Sequence, residues 1–250
     1  MSTFDVKQIG KLQEPSRRPG GVDSPCQACT VRHLTLCAAL EEQELAEMSA
    51  IVATLELAPG DPLFYESEPA QHVFNVTAGA VRVYKLLSDG RRQMTGFLFA
   101  GDFLGLANDD SYAYSAEAIT HATLCRFPRR KLELLLERYP RMEHRLLGMA
   151  SHELAAAQEQ MLLLGRKTAR EKVASFLLML SRRAVKRGLK DSPIAIPMGR
   201  NDIGDYLGLT TETVSRTFTQ LKRNGCIRLA AGNKIELVHR DRLESIAEGG

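Results

Sequence analysis

Residues 200–225, RNDIGDYLGLTTETVSRTFTQLKRNG, constrain the fold of this chain more than any other stretch. Ile203, Tyr206 and Leu207 mark the apolar face of a short helix. Gly208 stops it, because glycine enters the left-handed backbone region that closes a helix without a Cβ clash. Thr210 or Thr211 then supplies the cap of a second helix. In that helix Val214, Phe218 and Leu221 recur at spacings of four and three, so they face inward. The expectation is helix, tight turn, helix, with Glu212, Ser215, Arg216, Thr219 and Arg223 turned outward.

The outward set is polar and concentrated in the first turns, which suits a helix whose N-terminal end enters a DNA major groove. Arg216 can donate two hydrogen bonds to guanine O6 and N7, and Glu212 can accept from cytosine N4. Ser215 and Thr211 extend this surface, and Lys222 and Arg223 suit phosphate oxygens, which position without specifying. Beyond Gly225, Ile227–Leu229 and Ile235–Val238 flank Ala231-Gly232-Asn233, the pattern of a two-stranded wing. The charge distribution agrees. Residues 166–228 carry 14 basic and five acidic groups, a net +9, whereas residues 1–165 carry 16 and 21. A basic segment within a nearly neutral chain predicts a polyanionic partner.

Upstream the apolar period changes twice. Between about Leu55 and Phe127 it is two, as in Val81-Arg82-Val83-Tyr84 before the turn dipeptide Asp89-Gly90. That pattern predicts a compact antiparallel β unit. A short helix is expected near Arg129–Arg138, and Pro140 opens a much longer one. In the long helix Leu147, Ala150, Leu154, Ala157, Met161 and Leu164 alternate in steps of three and four and share one stripe. Leu146, Met149, Leu162 and Leu163 lie off the stripe and are expected to face the β unit. A helix apolar on two sides needs two partners, and a second copy of the chain is the economical choice for the stripe. A further helix spans 168–187, with Ala169, Val173, Phe176, Leu177 and Leu180 as its inner face. Residues 1–25, with Pro15, Pro19, Gly20, Gly21 and Pro25, read as an irregular arm.

The chain has no basic segment followed by a long apolar core at its start, and no apolar run near the roughly 18 residues of a membrane span. A cytoplasmic protein is expected, and in that reducing compartment the five cysteines are metal ligands or redox groups before they are disulfide partners. Three of them fall in CQACTVRHLTLC, as Cys26, Cys29 and Cys37. Soft thiolates select zinc, copper(I) or iron–sulfur clusters, and a four-iron four-sulfur cluster takes four of them. The fourth has to come from a distant point, where Cys125 on the β unit is available. His33 offers an alternative, a Cys3His zinc site, and a dithiol switch shares the C-x2-C spacing. Cys226 is expected to be a small buried thiol outside the site.

The segment around Glu212, Ser215 and Arg216, an E-x-x-S-R pattern, resembles the winged helix-turn-helix of the Crp-Fnr superfamily of bacterial transcription regulators, the Fnr branch in particular. The order of elements resembles that family over nearly the whole chain. The resemblance implies an α+β fold: an N-terminal antiparallel β-roll of the cyclic-nucleotide-binding kind, a long dimerisation helix and a C-terminal winged helix-turn-helix. The expected limits are 26–139 for the cysteine loop and β-roll, 140–166 for the dimerisation helix and 167–250 for the DNA-binding domain. Fnr-type proteins hold an oxygen-labile four-iron four-sulfur cluster on three N-terminal cysteines and one remote cysteine, which here are Cys26, Cys29, Cys37 and Cys125. The spacing C-x2-C-x7-C is two residues longer than the enteric pattern and is similar to that of rhizobial relatives, among which the FixK type lacks a cluster.

The same resemblance implies a homodimer on palindromic DNA with TTGAT-type half-sites, Arg216 on the G·C pair, Glu212 on its cytosine side and Ser215 near a thymine. RNA polymerase is the expected further partner. The family's cyclic-nucleotide phosphate site uses an Arg-Ser pair. The stretch LANDDSYAYSAEA has no arginine there and contains Asp109 and Asp110, whose carboxylates would repel a phosphate, so no cyclic nucleotide is expected. No phosphate-binding Gly-rich loop, nucleophile elbow or H-E-x-x-H occurs, and an enzyme, including an iron–sulfur oxidoreductase, is not expected.

Overall fold

A computed structural model describes residues 26–106 and 110–250. The expected arm 1–25, and Asp109 of the carboxylate pair, lie outside the described residues. The chain divides into two compact units, one comprising residues up to Gly90 with Thr95–Met149, the other Arg91–Met94 with Ala150–Gly250.

In the first unit the cysteine segment forms two 3-10 turns, Arg32–Leu34 and Leu36–Ala39, where the sequence suggested only a loop. Helix α1 (Glu42–Ile51) follows, started by a capping box in which the Glu41 N–H donates to the Glu44 carboxylate at 2.7 Å. The strands are β1 (Ala53–Leu57), β2 (Pro62–Phe64), β3 (His72–Ala78), β4 (Ala80–Leu86), β5 (Arg92–Phe99), β6 (Phe103–Leu104), β7 (Ser115–Ala118) and β8 (Ala122–Pro128). They form two four-stranded sheets, ordered β1-β8-β3-β6 and β2-β7-β4-β5, with antiparallel pairing between strands. Helix α2 (Arg129–Arg138) leads into α3 (Pro140–Arg166), a helix of 27 residues.

Alternation along β1, β3 and β8 gives their sheet two buried faces. Leu55, Leu57, Phe74, Val76 and Leu124 point into the roll, against Val81, Val83, Ala116 and Ala118 of the other sheet. Val73, Cys125 and Phe127 point the other way, against Leu36, Leu45, Met48, Leu132, Leu135 and Met142. The cysteine segment and α1 are therefore packed onto the outside of the roll. Inside it, the Phe64 and Tyr112 rings stack with centroids 3.7 Å apart, and the Tyr112 hydroxyl donates to the His72 carbonyl at 2.8 Å.

The second unit contains α4 (Ala169–Lys186), β9 (Ile194–Ala195), α5 (Arg200–Leu207), α6 (Thr211–Arg223), β10 (Ile227–Ala230), β11 (Lys234–Leu237) and α7 (Arg240–Ala247). Val173, Phe176, Leu177 and Leu180 of α4 are buried, as their spacing requires, while Ala169 is half-buried. Strands β10 and β11 pair as the wing, with β9 on the far side of β11. Among the described residues no helix is long and apolar enough to cross a membrane.

Candidate functional site

Cys26, Cys29, Cys37 and Cys125 line one cavity, together with Arg32, Thr35, Asn75, Thr77 and Phe127. The cavity lies between the two 3-10 turns and the outer face of the β1-β8-β3 sheet. Cys125 is in the middle of β8, paired with Thr54 on one side and Asn75 on the other, so the sheet fixes its place. Cys37 lies in the second turn, and Cys26 and Cys29 come from the stretch just before the first. The turns are themselves held down. Thr35 accepts the Cys37 N–H at 3.3 Å and donates to the Arg32 carbonyl at 3.0 Å. Leu34 rests on Gly101, whose positive φ of +98° and lack of a side chain permit the approach: a Cβ there would meet Leu34 at 2.7 Å.

The four thiols are not equivalent. Cys26 and Cys37 are buried, Cys29 and Cys125 half-buried, and no disulfide joins any of them. Burial pushes the Cys37 thiol up to about 11, against the pull of the Thr35 hydroxyl. Burial likewise pushes Cys125 up to about 12, and the neighbouring thiols raise both. A metal entering this cavity has to displace those protons. Among the described residues no three His, Cys, Asp or Glu side chains converge closely enough to hold a single metal ion. His33 is exposed and does not line the cavity, so the Cys3His alternative lacks its fourth ligand. The donor set that remains is four thiols around a common space, which suits a cluster larger than one ion. Cys226 is buried in the second unit, where its Sγ donates to the Asn224 carbonyl at 3.9 Å, apart from this group.

Helix α3 touches the cysteine segment directly. The Arg145 guanidinium donates from Nε to the Thr35 carbonyl at 2.6 Å and from Nη2 to the His33 carbonyl at 2.9 Å. One turn earlier Arg141 pairs with Glu41 at 2.7 Å and with Glu44 at 2.9 Å, tying α3 to the start of α1. Sequence reasoning passed over Arg145, because the carbonyls it binds lie 110 and 112 residues away.

Beyond this attachment α3 carries the expected stripe. Leu147, Ala150, Leu154, Ala157 and Met161 are exposed and Leu164 is half-buried. Leu147, Leu154 and Met161 are 65%, 61% and 64% exposed. Isolated exposed apolar residues need no explanation, but a periodic row of them along one helix marks an interaction surface. Of the residues off the stripe, Leu146 packs on the core behind the cysteine cavity. Met149 and Leu163 are half-buried, whereas Leu162 is 67% exposed, contrary to expectation. Leu162 follows Met161 on the helix surface and so widens the exposed apolar face.

In the second unit α5 ends at Gly208, with φ of 63° and ψ of 42°, and the turn is completed by Thr210, whose hydroxyl accepts the Thr213 N–H at 3.1 Å. Thr210 is thus the cap, and Thr211 instead donates to the Asn201 side chain at 2.8 Å, joining α6 to α5. Val214, Phe218 and Leu221 are buried as predicted, and Thr217 joins them, its hydroxyl satisfied by the Thr213 carbonyl at 2.8 Å. Thr211, Glu212, Ser215, Arg216, Lys222 and Arg223 are all exposed on α6. The fold brings Glu212, Ser215 and Arg216 to adjacent positions on one outward face near the N-terminal end of the helix. Arg200 lies over the Phe218 ring, 3.6 Å from its centroid, and braces the helix from behind, a contact the sequence pattern did not suggest.

Residues 54–139 match the cyclic nucleotide-binding domain family, and residues 171–246 match the Crp-like helix-turn-helix domain family. The nitrogen fixation regulation protein FixK of Bradyrhizobium diazoefficiens is 40% identical over 223 residues, covering 89% of this chain and 93% of that protein. The transcriptional activator protein FnrL of Cereibacter sphaeroides is 39% identical over 208 residues, covering 82% and 84%. The solved structure of FixK2 from Bradyrhizobium japonicum is 41% identical, covers 78% of this chain and 97% of its own, and superposes with a TM-score of 0.73.

Proposed function

Since this chain belongs to the Crp-Fnr family of transcription regulators, we propose that it is an oxygen-responsive member in which Cys26, Cys29, Cys37 and Cys125 hold a four-iron four-sulfur cluster, and that its homodimer binds palindromic DNA when oxygen is scarce. The observation that carries this reading is the gathering of those four thiols, three from the N-terminal segment and one from β8, on a single cavity. The cluster would supply an oxygen-labile link between the cysteine segment and β8, added to the apolar packing that already holds the two together.

The protein's own residues do the rest. With Cys26, Cys29 and Cys37 drawn toward Cys125, the Thr35 and His33 carbonyls are held where Arg145 binds them, and the start of α3 is fixed. The stripe of Leu147, Ala150, Leu154, Ala157 and Met161 then meets its copy across a two-fold axis. In that dimer two α6 helices enter successive major grooves, about 34 Å apart, and Arg216, Glu212 and Ser215 read a TTGAT-type half-site. Thr211, Lys222 and Arg223 position the helix. Oxygen acts by releasing the cysteine turns, so the equilibrium shifts away from the dimer while the reading residues stay intact. RNA polymerase is the partner of the promoter-bound dimer.

Forty per cent identity with FixK supports a second reading, a cluster-free regulator of the same fold with a thiol-based signal or none. Iron and acid-labile sulfide measured on protein purified without air separate the two. The cluster reading expects both, and expects Cys125→Ser to lose them. Wild-type protein lacking both would establish the second reading.

A further inference from the structure

One polar group on the wall of the cysteine cavity has no hydrogen-bond partner. Asn75 stands directly opposite Cys125 in the β3–β8 pairing, and residues paired across antiparallel strands send their side chains to the same face. Asn75 is 2% exposed and its Oδ1 is buried without a hydrogen bond. Its neighbours on this face of the sheet are apolar: Val73 and Phe127 are both buried in the cluster behind the cavity.

The hydroxyls of the wall are already committed. Thr35 Oγ1 donates to the Arg32 carbonyl at 3.0 Å, and Thr77 Oγ1 donates to the Thr123 carbonyl at 2.9 Å. A hydroxyl has one proton, so neither has one left for the cavity. Arg32 is exposed and sits at the rim. A buried amide oxygen without a partner is a cost to the fold unless something outside the polypeptide offsets it.

We infer that the Asn75 carboxamide faces the sulfur of the bound cluster and donates an N–H···S hydrogen bond to it, an inference that rests on the cluster reading above. A half turn about the last side-chain bond exchanges Oδ1 and Nδ2, and beside anionic sulfur the N–H end is the one that turns inward. Hydrogen bonds to the sulfurs govern how firmly a cluster is held and at what potential it works. Asn75 is a positioning and tuning residue, with the four thiolates as the ligands.

The test compares wild type with Asn75→Leu, which is close in size and carries no polar side-chain atom, in full-length protein purified without air. In the metal-free form Asn75→Leu should melt at the same temperature or higher, because the orphaned oxygen is gone. In the iron-loaded form a ferrous chelator should strip iron on the order of tenfold faster than from wild type, with a shifted visible absorption band. Opposite effects in the two forms are what a merely structural asparagine does not produce. An Asn75→Leu protein that keeps its iron as long as wild type, with the same spectrum, overturns the inference alone. So does one equally destabilised in both forms. Wild-type protein without iron and sulfide overturns the cluster reading, and this inference with it. Should Asn75→Leu fail to fold, Asn75→Ser, whose shorter side chain draws the donor back from the cavity, is expected to lose iron several-fold faster than wild type, and retention equal to wild type counts against the inference.

Discussion

Replacing Leu154 by alanine isolates the contribution of the α3 stripe. In the protomer Leu154 is 61% exposed, so the substitution removes little from the packed core. Alanine is also the better helix former, so α3 itself is not weakened. Complete burial of a leucine side chain is worth about 1.5–3 kcal/mol. With 61% of the residue still exposed in the protomer, and a methyl group retained after substitution, the loss per chain is about 1–1.5 kcal/mol. A two-fold interface counts the change twice, for a total of about 2–3 kcal/mol. At about 1.4 kcal/mol per factor of ten, the dimer dissociation constant should rise roughly 30- to 150-fold. Sedimentation equilibrium without air measures it, and the melting temperature of the dilute monomer should not move. A dissociation constant within about threefold of wild type, a change of less than about 0.7 kcal/mol, would mean that the exposed row on α3 is not the dimer contact.

Arg145→Leu removes both bonds from α3 to the cysteine turns, each a charge-assisted contact of about 1.5–3 kcal/mol before discounting for partial exposure. Iron content should persist, while the difference in dimerisation between anaerobic and air-exposed protein narrows. An undiminished difference at full iron content would exclude Arg145 as the connection. On DNA, Arg216→Ala should cost about 1–3 kcal/mol and relax preference at one G·C pair. Lys222→Ala should weaken all sequences alike and lower the salt dependence by about one unit. Titrations of wild-type and substituted half-sites at two salt concentrations distinguish these outcomes, and uniform weakening by Arg216→Ala would make that residue a phosphate contact.

The parts of the fold legible in the sequence are those set by local periodicity. The alternation of Val81-Arg82-Val83-Tyr84 appears as β4, the long stripe as α3, and the Gly208 stop as a left-handed cap between α5 and α6. Helices α1 and α7 were missed because neither has a strong apolar period. Only Leu45 and Met48 of α1 are buried, and its clearest signal was the Glu41–Glu44 capping box. Helix α7 has no side-chain cap and is held by Leu243, Ile246 and Ala247 against the rest of its unit. At the cysteine site, ligand chemistry made the four thiols legible, since thiolates in a reducing compartment call for a common partner. What it did not reveal was their surroundings. Asn75 enters the cavity through strand register with Cys125, and Arg145 through contacts more than a hundred residues away in sequence. Neither depends on a local pattern. The exposure of Leu162 has a similar origin: periodicity gives the angle of a side chain around α3, while the neighbours at that angle are set by the tertiary fold.

The central claim is that the four thiols make DNA binding depend on oxygen through an iron–sulfur cluster. The most direct measurement is one titration series on a palindromic TTGAT-type duplex, with protein purified without air and the same sample after exposure to air, iron and sulfide being quantified in each. The account predicts about four irons and as many sulfides per protomer before exposure, tight binding in that state, and loss of both cluster and affinity in air. Equal affinity before and after air, with the cluster gone, would contradict it.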